Sequence, residues 1–100
     1  MFIETQSLTA QMFTSEIGQV FIAETVPEPV QLTLLQIVEG KVAATGFRRP
    51  FSLIFTTPPQ VLLLEAQYRM QSESGREYLL HLSPIVSPAD GLRHYQAQFN

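Results

Sequence analysis

The chain has 100 residues, a formal net charge of −3, 45% hydrophobic residues, only 15% charged residues and no cysteine. This length is the common size of one domain, and the missing cysteine excludes a disulfide framework, a thiolate metal site and a cysteine nucleophile. Five arginines and one lysine are scattered along the chain, so the concentrated positive footprint that nucleic acid or an anionic membrane surface demands is missing.

One soluble β-domain over residues 1–100 is expected. Residues 1–6 have no basic start ahead of an apolar block, so no signal peptide is expected. No apolar run approaches the ~18 residues of a membrane span. Without thiols, the setting expected is the reducing cytoplasm. Ten Gln, eight Thr and seven Ser must cover much of the surface. So apolar a chain with so little charge predicts that part of its surface is kept for a partner.

Leu8, Met12 and Phe13 share one face of a short N-terminal helix, with Thr5 or Ser7 as its cap and Gly18 at its end. Six strand patterns follow, separated by the rhythm of seven prolines and five glycines. The first covers residues 19–25, ahead of Pro27 and Pro29. The second, 30–39, puts Leu32, Leu34 and Val38 on one face and Leu35 and Ile37 on the other. Residues 39–46 read as turn and loop. Pro50 opens the third strand, where Phe51, Leu53 and Phe55 alternate with Ser52, Ile54 and Thr56. Pro58 and Pro59 end it. Val61, Leu62, Leu63 and Leu64 then form a run apolar on both faces. The fourth strand, 67–72, turns Tyr68 and Met70 inward, and residues 73–76 read as a hairpin loop. The fifth, 77–85, alternates Tyr78, Leu80 and Leu82 with Leu79, His81 and Ser83. The sixth, 93–100, alternates Tyr95, Ala97 and Phe99 with His94, Gln96 and Gln98. These patterns predict an all-β domain, a small antiparallel β-sandwich or partly open barrel of about six strands with one short helix.

The runs Pro50-Phe51-Ser52-Leu53-Ile54-Phe55, Tyr68-Arg69, Leu82-Ser83-Pro84-Ile85 and Tyr95-Gln96-Ala97-Gln98-Phe99-Asn100 resemble a bacterial all-β domain family of about this length and of unknown function. Leu8 with Phe13, and Gly18 with Phe21, fit its opening motifs. The resemblance carries no catalytic signature. Some members are encoded near phage-tail-collar-like proteins, which implies a structural or assembly role. Glu65-Ala66-Gln67 stands here where the family pattern has Gln-Gly before the tyrosine.

Residues that could carry chemistry are sparse. His81 and His94 lie on different strands, and with Glu77 they would meet only by register, so no metal site is expected. His81 and Ser83 share a strand face but no nucleophile elbow is present, and they read as a surface pair. Glu65, Glu73 and Glu77 sit in or beside turns and read as solvated, not as a glycosidase pair. The glycines are isolated, so no phosphate loop exists. Arg48 and Arg49 could grip an anion, although a solvated loop is the simpler reading. Tyr68, Tyr78 and Tyr95 keep phase with Leu, Met or Phe and read as core, not as a sugar-stacking platform.

The expected function is therefore that of a non-catalytic interaction or structural accessory module without a cofactor. Its expected partner is a protein, a second copy of the chain included. The expected contact residues are Val61, Leu62, Leu63 and Leu64, together with Arg48 and Arg49. One pair of the leucine run should lie outside the core unless the helix covers it, joined by neighbours such as Leu35 or Ile37. The alternative is a β-domain that binds a small ligand or carbohydrate.

Overall fold

The computed structural model describes residues 8–40 and 50–99. A one-turn helix, α1 (Ala10–Phe13), runs into a 3-10 turn (Thr14–Glu16). Six strands follow: β1 (Val20–Ala23), β2 (Val30–Glu39), β3 (Phe51–Thr57), β4 (Ala66–Ser72), β5 (Glu77–Ile85) and β6 (Arg93–Phe99). They close into one antiparallel barrel in the order β1-β2-β3-β6-β5-β4, with β4 pairing back onto β1. Closure removes the full-length edge strands that an open sandwich would leave, although β2 begins at Val30 and its pairing with β3 only at Thr33.

The helix is shorter than its apolar pattern suggests. Thr9 is its N-cap and makes no side-chain capping bond, while Thr5 and Ser7 lie outside the described residues. Gly18 adopts φ +87°, a conformation open to glycine at little cost, and turns the chain into β1.

A barrel has one interior, so period-2 alternation divides each strand between core and surface. Phe51, Leu53, Phe55, Leu80, Tyr95, Ala97 and Phe99 are all buried, as their phase predicts. Phe51 and Phe99 are register partners whose rings stack at 4.7 Å. Phe13 of α1 lies against both and against Tyr78, at 4.9 Å, and so closes this end of the core.

β2 departs from simple alternation. Its pairing with β3 steps from Leu34↔Phe55 to Gln36↔Ile54, so Leu35 is the extra residue of a β-bulge. An extra residue reverses the phase of everything after it. Ile37 therefore packs on the core and Val38 is 48% exposed, the opposite of the faces expected from the sequence.

Alternating strand directions sort the connections between two ends. α1, the 73–76 hairpin and the Gly40–Pro50 backbone bond of 2.7 Å mark the helix end. Connections 24–29, 58–65 and 86–92 form the opposite, loop end.

Removing a buried aromatic leaves a cavity that the barrel cannot collapse around. Phe55→Ala should lose ~3–5 kcal/mol in chemical denaturation, whereas Val38→Ser should stay within ~0.5 kcal/mol of the wild type. A large loss for Val38→Ser would contradict the bulge.

Candidate functional site: the loop end of the barrel

β3 and β4 are consecutive in the chain but opposite in the barrel, because two strands separate them in either direction around the ring. Their connection must cross the barrel end. This is where the sequence places Val61, Leu62, Leu63 and Leu64. Leu63 is buried and joins the core, and Val61 packs partly against it. Leu62 and Leu64 face outward, 64% and 74% exposed. The two-faced apolar run is thus a lid with one side in the core and the other in solvent.

Side chains from the barrel pin the lid. The phenol oxygen of buried Tyr95 accepts the Leu63 N–H at 3.0 Å, and the Tyr68 hydroxyl donates to the Leu64 carbonyl at 2.6 Å. Arg93 Nε donates to the Pro59 carbonyl at 2.6 Å. A phenol can accept and donate at once, so Tyr95 can serve a buried amide without leaving the core. Outward placement of Leu62 and Leu64 is therefore enforced by bonds on the inward side.

Beside the lid, a groove of about 720 Å³ runs between the start of β2 and the end of β3. Val26, Pro27, Leu62 and Leu92 supply apolar walls; Thr33 and Thr56 line its outer floor. Glu28 is the charged residue of the lining. Thr25 donates to the Glu28 carbonyl and folds the β1–β2 connection. Leu62 shares the groove lining with Val26 and Leu92, not with Leu35 or Ile37, which lie outside it. α1 sits at the other end and leaves the outer leucines uncovered. Arg48 and Arg49, the other expected contact residues, lie outside the described residues.

His94 and Asp90 are occupied in building a loop. His94 is buried, and Asp90 holds its Nε2 at 2.7 Å. Asp90 also accepts the Leu92 N–H, and that backbone bond, followed by the histidine, lowers its carboxyl below the ordinary aspartate range. Ser87 Oγ accepts the backbone N–H of His94 at 3.1 Å. Ser, His and Asp thus come together as a loop brace in which the serine contacts the histidine backbone. The signal available in the sequence was Asp90-Gly91, a turn placed four residues before His94. His81 pairs with Glu65 at 3.0 Å on the surface. His94 stands opposite Ile85, four residues along β5 from His81, and no cluster of three metal-binding side chains occurs among the described residues. Glu65 is at the loop end and Glu73 and Glu77 at the helix end, so these acids do not face one cleft.

At the helix end, Glu16 is fully buried and accepts Tyr78 OH at 2.7 Å and Ser74 Oγ at 2.6 Å. The Glu73 carboxylate accepts the Val20 N–H, and Arg76 donates to the Met12 carbonyl. These bonds fasten α1 to the 73–76 hairpin. No local pattern announces this pairing, because Glu16 and Tyr78 are 62 residues apart.

Leu63→Ala should destabilise the fold by ~2–5 kcal/mol and Tyr95→Phe by ~1 kcal/mol. Leu62→Ser and Leu64→Ser should change stability by no more than ~0.5 kcal/mol. Equilibrium unfolding in urea checks all four. Burial, then the bond to Glu16, pushes the Tyr78 phenol from 10.0 up to about 12. The folded state therefore holds this proton more tightly than the unfolded chain does. Its contribution is complete below pH ~10 and is lost as pH rises toward ~12. Stability measured across that range should fall less steeply for Tyr78→Phe than for the wild type.

No curated protein and no solved structure shows significant similarity to the chain. A family model described as "Domain of unknown function (DUF6916)" matches residues 8–99, which takes in α1, the whole barrel and the lid. The chain belongs to this domain family of unknown function.

Proposed function

We propose that the chain is a non-catalytic interaction module that presents its loop end to a protein partner, a second copy included. The observation that carries this reading is the outward exposure of Leu62 and Leu64 on a lid whose other side is pinned into the core. Val26 (95% exposed), Val86 and Leu92 stand on the other connections of the same end. Covering a side chain of this kind is worth ~1.5–3 kcal/mol, so a few such contacts can outweigh part of the entropy of association. The low charge of the chain adds little repulsion between copies. A phage-tail-like assembly is the context that the resemblance of the sequence suggests, and the cysteine-free composition fits a cytoplasmic setting.

A small-ligand site is the second reading, and the groove volume favours it, since ligand pockets span ~300–1,000 Å³. Its carbohydrate form is weakened by the tyrosines. Tyr78 and Tyr95 are buried, Tyr68 is half-buried, and none lines the groove.

A photo-crosslinking residue at position 62 or 64, introduced in the producing cell, should capture a protein, and the same residue at Gln67, exposed on β4, should not. Added wild-type protein should compete with this capture, and Leu62→Glu combined with Leu64→Glu, which should remain folded, should not compete. Failure to crosslink any protein from either position would overturn the proposal.

A further inference from the structure

The backbone beside the groove carries an unpaired strand edge. The Leu34 N–H donates to the Gln19 carbonyl at 3.0 Å, and the Leu34 carbonyl accepts the Gly18 N–H at 2.7 Å. Backbone groups alternate sides along an antiparallel strand, so Leu34, Leu32 and Val30 direct theirs toward β1. Thr33 and Gln31 direct theirs toward β3. Thr33 is opposite Thr56. The same register, continued by two residues, puts Pro58 opposite Gln31. Proline has no N–H to give, and both lone pairs of the Pro58 carbonyl are already used, by the Val61 N–H at 3.1 Å and the Thr57 hydroxyl at 3.2 Å. β3 ends at Thr57, where the chain leaves to form the lid. The Gln31 N–H and C=O are thus without a backbone partner among the described residues, on an exposed stretch that lines the groove.

We propose that the loop end takes up an extended segment of a partner protein, added as a strand along β2 at Gln31, with a lysine or arginine directed to Glu28. This rests on the reading of the chain as an interaction module and specifies the shape and charge of what it binds. An exposed donor and acceptor pair on a strand edge is a template for strand addition, and adjoining pockets then select side chains. The pockets here are apolar, walled by Val26, Pro27, Leu62 and Leu92. Glu28, exposed and without an ion pair among the described residues, makes the charged contribution to the groove acidic, and a cation on the incoming segment complements it. The edge is short because the lid closes off β3, which limits the added strand to a few residues.

The probe is a short blocked peptide alternating leucine and threonine and ending in lysine, titrated into the isotopically labelled full chain and followed by amide NMR. Binding should shift the Gln31 amide and slow its hydrogen exchange. It should weaken about tenfold or more in Gln31→Pro, which removes the donor from a position where the fold does not use it, and remain in Gln31→Ala. Alternate N-methylation of the peptide should cause a similar loss and keeps the test valid if Gln31→Pro fails to fold. Replacing the terminal lysine by glutamate should also weaken binding. Binding equally strong in Gln31→Pro, or with the N-methylated peptide, would overturn strand addition. So would a crosslink from position 62 or 64 to a protein whose binding leaves the Gln31 amide unchanged, and in that case the interaction-module reading survives. Self-association of the wild type that disappears in Gln31→Pro would identify a second copy as the source of the strand and overturn the assignment to a different protein.

Discussion

Two consecutive strands placed on opposite sides of a closed barrel have to be joined across its open end. The connection from β3 to β4 meets this constraint with eight residues, 58–65. Crossing an apolar core obliges the inward side of such a segment to be apolar and its backbone amides to find partners. Leu63 fills the first requirement and Tyr95 the second. Both depend on β6, because Tyr95 is held in register between Phe55 and Pro84. The same crossing fixes the outward residues, and it also draws β3 away from β2, so that the Gln31 N–H and C=O are left without a backbone partner among the described residues. Core closure, the exposed leucines and the unpaired edge are three consequences of one strand order.

The two ends of the barrel are closed by different chemistry. At the helix end, Phe13 covers Phe51, Phe99 and Tyr78, while buried Glu16 receives two hydroxyl donors. A buried carboxylate is costly unless its oxygens are satisfied, and here they tie the N-terminal segment to a hairpin far along the chain. At the loop end, apart from the His94–Asp90 and His81–Glu65 pairs, the polar bonds described run to backbone groups, and much of the outer surface is apolar. His94, Asp90 and Ser87 brace one connection there and Thr25 another. The groups that resemble catalytic types are thus occupied in positioning loops, and the outer side of that end is occupied by side chains suited to contact.

Much of the barrel was legible because strand alternation is a local property. Phe51, Leu53 and Phe55, or Tyr95, Ala97 and Phe99, declare their shared face within one strand. The bulge at Leu35 was not legible, since an extra residue in β2 is defined only against β3, and the faces of Ile37 and Val38 were reversed by it. The helix cap at Thr9 has no side-chain bond to announce it. Part of the candidate site could be read: one pair of the run Val61, Leu62, Leu63 and Leu64 was expected to face out unless the helix covered it. Which two, and that Val26 and Leu92 stand beside them, depends on a barrel order that no local pattern encodes. The Glu16–Tyr78 bond and the free edge at Gln31 are likewise long-range outcomes of closure.

The central claim is that the lid is fixed from within and free outside. Residue-resolved amide hydrogen exchange on the unliganded protein tests it most directly, because protection follows the hydrogen bond of each amide and the opening needed to break it. The Leu63 amide, bonded to the Tyr95 hydroxyl inside the core, should exchange slowly, near the rate of the barrel strands. The Leu62 and Leu64 amides on either side should exchange fast. A Leu63 amide that exchanges as fast as its two neighbours would mean that the lid is not held by the barrel, and the account of the loop end would fail.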